Sequence, residues 1–155
     1  MLLKYLQLLL ISMLPLIELR GAMPFSQIMD LPVLPSYIIC IVGNLIPIPF
    51  VYLFAGKFLK WGKDKKYIGK FCKWCLEKGN KAGAKIAEKA GRTSMFFALM
   101  LFVGIPLPGT GAWTGILAAS FLDMGFKSAT TAVTLGVILA GTIMMIASYL
   151  GFGLI

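Results

Sequence analysis

Three stretches of this chain, residues 31–56, 93–122 and 128–155, carry no charged residue at all, and a fourth, residues 5–17, runs uncharged as far as Glu18. No other feature limits the fold as much. Apolar runs of this length are bilayer segments, because a hydrocarbon core is about 30 Å thick and a helix needs about 20 apolar residues to cross it. The composition agrees. Of 155 residues, 59% are hydrophobic and 14% charged, with a mean hydropathy of +0.87, more apolar surface than a soluble domain this size can cover. An all-α integral membrane protein is expected.

The runs differ in length in an informative way. As one straight helix, residues 93–122 would extend roughly 45 Å, well past the hydrocarbon core. In their middle lies IPLPGTGAWTG (105–115), where Pro106, Pro108, Gly109 and Gly111 remove backbone donors and helical preference. This predicts a hairpin of two half-length helices with the Pro-Gly segment at its tip. Residues 5–17 would span only about 20 Å as helix, and PLIELRGAMP (15–24) follows, so a second hairpin is predicted with Pro15, Gly21 and Pro24 at its tip. A secretory signal peptide is the alternative for the N-terminal run, opposed by Glu18 and Arg20 standing where a small neutral cleavage region belongs.

Each hairpin is followed by a polar break and a long apolar segment: first Asp30, Pro32 and Pro35 before residues 36–56, then residues 123–127 before 128–151. The order is hairpin, span, basic linker, hairpin, span. Aligning Pro15 with Pro106 also aligns Leu16 with Leu107 and brings Gly43 close to Gly136. One membrane domain therefore divides into a first repeat (1–56), a linker (57–92) and a second repeat (93–155). If each hairpin re-enters on its own side, each half crosses once, and the repeats are inverted relative to one another.

Charge sets the orientation. The net charge is +9, and residues 57–92 supply all of it, twelve basic residues less three acidic ones. The positive-inside rule places this linker in the cytoplasm of a cell-membrane protein and both termini outside. Its apolar residues recur every three or four positions, as in an amphipathic helix pair parting near Gly79 and Asn80 and lying on anionic headgroups. It reads either as a lipid-responsive arm or as an orientation anchor. The basic pI reports topology and not nucleic-acid binding.

Several functions are excluded. With no histidine, three cysteines and no nucleotide-binding or metalloprotease motif, the chain is expected to be no enzyme and to hold no cofactor or metal. Cys72 and Cys75 form a lone CxxC with no second pair, and read as part of the linker's apolar face.

Glu18 and Arg20 are the leading site candidates. Charges inside a membrane are costly and face a cavity or each other, marking a substrate or proton path. Their alternative role is a static ion pair closing the tip, with Glu18 capping the half-helix that follows it. At the second tip, Gly111 and Thr110 leave N–H groups free at a half-helix start that attracts anions, Trp113 offers an aromatic face and Thr114 a hydroxyl. The alternative is close helix packing through the small residues there. Asn44, in VGNLIPIPF (42–50), marks a crossing helix broken by Pro47 and Pro49.

Taken together, PLIELRGAMP, the Gly43–Asn44 pair followed by prolines, the Lys-rich linker and FVGIPLPGTGAWTGILAAS (102–120) give a sequence that resembles the small multi-drug export protein family over nearly its whole length. That family is distantly similar to the DedA or VTT membrane proteins, which implies two opposed re-entrant hairpins and the movement of lipids such as undecaprenyl phosphate. The resemblance carries Glu18, Arg20, Asn44 and the 106–115 loop forward as site residues. The expected function is a transporter moving a small amphiphile by alternating access, with proton-coupled drug export as one form. Flipping of an anionic lipid and a structural or holin-like role are the alternatives. Expected partners are membrane lipids, an amphiphile or lipid phosphate, and a second copy in a homodimer, since two crossing helices make a thin wall around a pathway.

Overall fold

The computed structural model describes residues 2–15, 17–62, 70, 73, 77, 91–107 and 110–152. Among them there are helices and turns and no strand. The helices are α1 (Leu2–Met13), α2 (Glu18–Ile28), α3 (Val33–Leu45), α4 (Ile48–Gly62), α5 (Gly91–Gly104), α6 (Ala112–Phe121) and α7 (Phe126–Phe152). The amphipathic pair with its break at Gly79 and Asn80, the CxxC cysteines, Leu16, Pro108 and Gly109 lie outside the described residues.

Two segments are long and apolar enough to cross a membrane, Val33–Lys57 and Phe126–Gly151. The first runs through α3 into α4 across a two-residue turn at Ile46 and Pro47. There Pro47 and Pro49 have no N–H to return to the carbonyls of Gly43 and Leu45, so the helical ladder lapses and resumes with Val51 N–H donating to Pro47 C=O at 2.9 Å. The other helices are short. At about 1.5 Å per residue, α1 is about 18 Å long, α2 about 16 Å and α6 about 15 Å.

The N-terminal tip is tighter than the sequence reading placed it. Leu14, Pro15 and Ile17 are in bend or turn conformation, and Glu18 at φ 52° already opens α2. Gly21 and Pro24, expected at the tip, sit within α2 instead. Pro24 costs that helix only the hydrogen bond to the Arg20 carbonyl, while Gly21 admits Ile17 of the turn against the helix. Likewise α6 begins at Ala112, so residues 112–115 are first-turn helix and not open tip.

Both short second helices end in the same way. Asp30 (φ 56°) and Asp123 (φ 52°) take the left-handed conformation that closes a Schellman cap. Leu31 N–H reaches back to Ser26 C=O, and Met124 N–H to Ala119 C=O, each at 3.0 Å. Leu31 and Met124 are then buried as the hydrophobic closure of each cap. Glycine is the usual residue in that conformation, but a short polar side chain is tolerated there.

The match between the halves extends well beyond the caps. A shift of 93 residues carries the buried Leu19, Ala22, Met23 and Ser26 of α2 onto the buried Ala112, Gly115, Ile116 and Ala119 of α6. It also carries the buried Ser36, Cys40, Gly43 and Asn44 of α3 onto the buried Ala129, Val133, Gly136 and Val137 of α7. In the first arms the shift is 91, pairing Leu8 and Ser12 with Leu99 and Val103. The second tip is therefore two residues longer.

Helix α1 packs on α2 and α3, α2 and α3 both pack on α7, and α6 packs on α4 and α7. Several polar residues are buried with the apolar core, and the exterior is largely apolar. Ser12, Glu18, Ser26, Ser36 and Asn44 are buried, while Leu2, Ile28, Leu34, Phe50, Phe54 and Tyr149 are exposed. A chain whose outside is leucine and phenylalanine is solvated by lipid. The buried serines return their hydroxyls to carbonyls of their own helices, at 2.8 Å for Ser12 to Leu9, 2.6 Å for Ser26 to Met23 and 2.8 Å for Ser36 to Pro32.

Gly43 and Gly136 bring the spans against the first arm of each hairpin. A Cβ at Gly43 would lie 2.8 Å from Leu9 O, and one at Gly136 2.7 Å from Met100 O. Backbone cannot yield as a side chain can. Gly43→Ala and Gly136→Ala should each destabilise the protein by about 1–3 kcal/mol in a thermal melt in detergent. Gly125→Ala, where nothing lies within 4 Å of an added Cβ, should melt as wild type does.

Candidate functional site

A helix leaves its first four N–H groups and last four carbonyls without partners, and ends buried away from water must find those partners within the protein. Pro106 aggravates this at α5, because it has no N–H to give to the Phe102 carbonyl, and Leu107 N–H turns to Ile105 C=O at 2.8 Å. At α6 the N-cap is Gly111, with no side chain and hence no cap of its own.

The first hairpin supplies what the second lacks. The Glu18 carboxylate accepts from Ala112 N–H at 3.2 Å and from Trp113 N–H at 3.1 Å, capping α6 from across the molecule. The Arg20 guanidinium donates through Nη1 to Leu107 C=O, and through Nη2 to Val103 C=O at 3.1 Å, Ile105 C=O at 3.2 Å and Thr110 C=O. Thr110 Oγ1 holds the same bend, donating to Ile105 C=O at 2.9 Å or Leu107 C=O at 3.0 Å. The acid thus meets the positive end of α6, and the base meets carbonyls at the negative end of α5. The two tips touch.

Residues two apart on a helix face different ways. Here that divergence serves two targets, so the expectation of Glu18 capping its own half-helix gives way to a cap on the opposite one. No ion pair joins Glu18 to Arg20 among the described residues; each is bound to backbone of the other hairpin. Gly111 is where this contact needs glycine, since a Cβ there would fall on the Glu18 carboxylate. Under the 93-residue correspondence Gly111 is also the counterpart of Glu18, so the two matched positions face each other.

Two spaces adjoin the contact. One is a small recess of about 10 Å³ lined by Glu18, Arg20, Asn44, Gly111, Val137 and Ala140 among others. The other is a groove of about 560 Å³ lined by Pro15, Ile17, Glu18, Arg20, Gly21, Pro106, Leu107, Gly111, Thr114 and Met144. The groove has the size range of small-molecule sites, and its wall is apolar apart from the charged residues and Thr114.

Of the residues singled out from sequence, Glu18, Arg20, Thr110 and Gly111 come together. Asn44 borders the small cavity and Thr114 the groove, while the Thr114 hydroxyl donates to Gly111 C=O at 3.1 Å. Trp113 takes part through its backbone N–H, and its buried indole Nε1 has no hydrogen-bond partner. Pro15 and Pro106 line the groove. Sequence reasoning missed Met144, which nothing in the α7 pattern distinguishes, and the carbonyls of Val103 and Ile105, which Pro106 could have indicated.

The sequence model of a family described as "Putative small multi-drug export protein" matches residues 18–143. No curated protein and no solved structure matches significantly.

Removing the cap should be measurable. Glu18→Ala leaves two amides unpaired and should cost about 2–3 kcal/mol in thermal unfolding. Gly111→Ala should cost a similar amount alone, by displacing the carboxylate. In the Glu18→Ala background it should cost almost nothing further, because the overlap is gone.

Proposed function

Because the chain belongs to the small multi-drug export protein family, we propose that it is a membrane transporter whose substrate is a lipophilic cation held in the groove against Glu18. The observation carrying this reading is that the buried carboxylate, 5% exposed, borders a large apolar groove at the meeting of the two tips. A carboxylate offers about four acceptor positions and two are taken by amides, so Glu18 retains capacity for a cation or a proton. Arg20 already donates through Nη1 and Nη2 to four carbonyls, and two α6 amides already donate to Glu18. An anionic headgroup, as in the DedA-like reading, would have to displace these contacts first. The chain is a carrier in this reading and not a catalyst.

The hairpins re-enter the bilayer and do not cross it. Their helices, about 15–18 Å long where α1, α2 and α6 are concerned, support this against a core of about 30 Å. The matched burial pattern and the paired Schellman caps support an inverted duplication of hairpin and span, with the 57–92 linker cytoplasmic, the first hairpin entering from outside and the second from inside. Alternating access is then a rocking of the two units about the Glu18–Gly111 contact, with a proton exchanging against the cation at Glu18. A homodimer supplies the outer wall that two spans alone leave thin.

Liposomes containing the purified protein should take up tetraphenylphosphonium in proportion to an imposed pH gradient, and Glu18→Gln should abolish the gradient dependence. Uptake by Glu18→Gln at the wild-type rate would remove the carboxylate from the mechanism. Cysteines substituted at Lys4 and Thr131 test the orientation: Lys4→Cys should react with an impermeant maleimide added outside cells, and Thr131→Cys should not.

A further inference from the structure

Asn44 lies about one turn before Pro47, the first of the two prolines that break the Val33–Lys57 span, and it is only 3% exposed. Its Oδ1 is buried with no hydrogen-bond partner among the described residues. An amide oxygen left so in an apolar interior costs roughly 1–3 kcal/mol, so such atoms are nearly always satisfied by a donor. The cavity of about 10 Å³ that Asn44 borders is also bordered by Glu18, whose carboxylate is a second acceptor. Its remaining lining includes the apolar Leu19, Val103, Val137 and Ala140.

Two acceptors facing one space the size of a single molecule call for a species with two donors. From this geometry we infer that one buried water occupies the cavity and donates to both Asn44 Oδ1 and the Glu18 carboxylate. The volume is at the threshold for a single water, and two polar partners are the minimum that hold one. Arg20, which borders the same space, opposes a metal cation there, whereas a neutral water suffers no such repulsion. The water gives Glu18 a polar contact on the side away from the groove. It also ties the start of α2 to α3 just ahead of the proline break. This inference stands on the resting fold and does not require that the chain transport anything.

The test is solid-state NMR of the full chain in bilayers, with asparagine as the only labelled residue. The sequence contains two asparagines, Asn44 and Asn80, so the spectrum has two side-chain amides to assign, and Asn44→Ser identifies the first by its loss. Magnetisation transfer from water should reach the Asn44 amide in the wild-type protein, although that side chain is almost fully buried. Ala140→Val, which adds volume to the cavity wall, should reduce the transfer at least threefold while leaving that to Asn80 unchanged. Absence of transfer to Asn44 in the wild-type protein overturns the inference without recourse to any variant. A shift of the Asn44 signal when sodium replaces choline at equal ionic strength also overturns it, because it would make the occupant an ion. Failure of cation uptake in liposomes leaves this result untouched, so the two readings fail separately.

Discussion

Everything in this molecule depends on closing helix ends that are buried between the two hairpins. Water caps exposed N–H and C=O groups at the ends of soluble helices, and the hydrocarbon core provides none. The chain answers by letting the first hairpin finish the second: Glu18 takes free amides of α6, and Arg20 takes free carbonyls at the end of α5 and just past it. Among the described residues neither charge forms an ion pair with a side chain. Each is neutralised by a helix end of opposite sign, so the same contacts solve the problem of the buried charges and that of the orphaned backbone.

The rest of the architecture follows from having to bring those tips together. Gly43 and Gly136 press each span against the first arm of its hairpin, and Gly115 lets α6 close on Val103. Tyr37 Oη and Thr142 Oγ1, 3.2 Å apart, join the two spans, and Tyr52 donates to the Met124 carbonyl beside the second Schellman cap. Small residues and short polar links are what hold helices in a medium where apolar burial offers little between them.

Much of this was legible in the sequence because the governing signals are local. Charge-free run length separated long spans from short arms, and the Pro-Gly cluster at 105–111 located the second bend. The first bend was read too broadly. Pro24 and Gly21 were assigned to it as helix breakers, yet α2 absorbs both, since a proline late in a helix removes one hydrogen bond and the turn itself lies ahead of Glu18. Glu18 and Arg20 were found by their cost in a membrane, but their targets were not. Which helix end a charge caps depends on how the hairpins dock, and no local pattern encodes that. The repeated Schellman closure was hidden because Asp30 and Asp123 read as generic polar breaks, when their left-handed conformation is a property of the backbone.

The second tip is two residues longer than the first, and only the first carries an acid. A duplicated chain of two identical halves could tilt either way at equal cost, like an evenly loaded balance. Here Gly111 has no side chain to offer where Glu18 offers a carboxylate, so the contact between the tips is one-sided. In the carrier proposed above, that asymmetry would make the two tilts unequal in energy and give the molecule a built-in resting side, against which the driving gradient works once in every round trip.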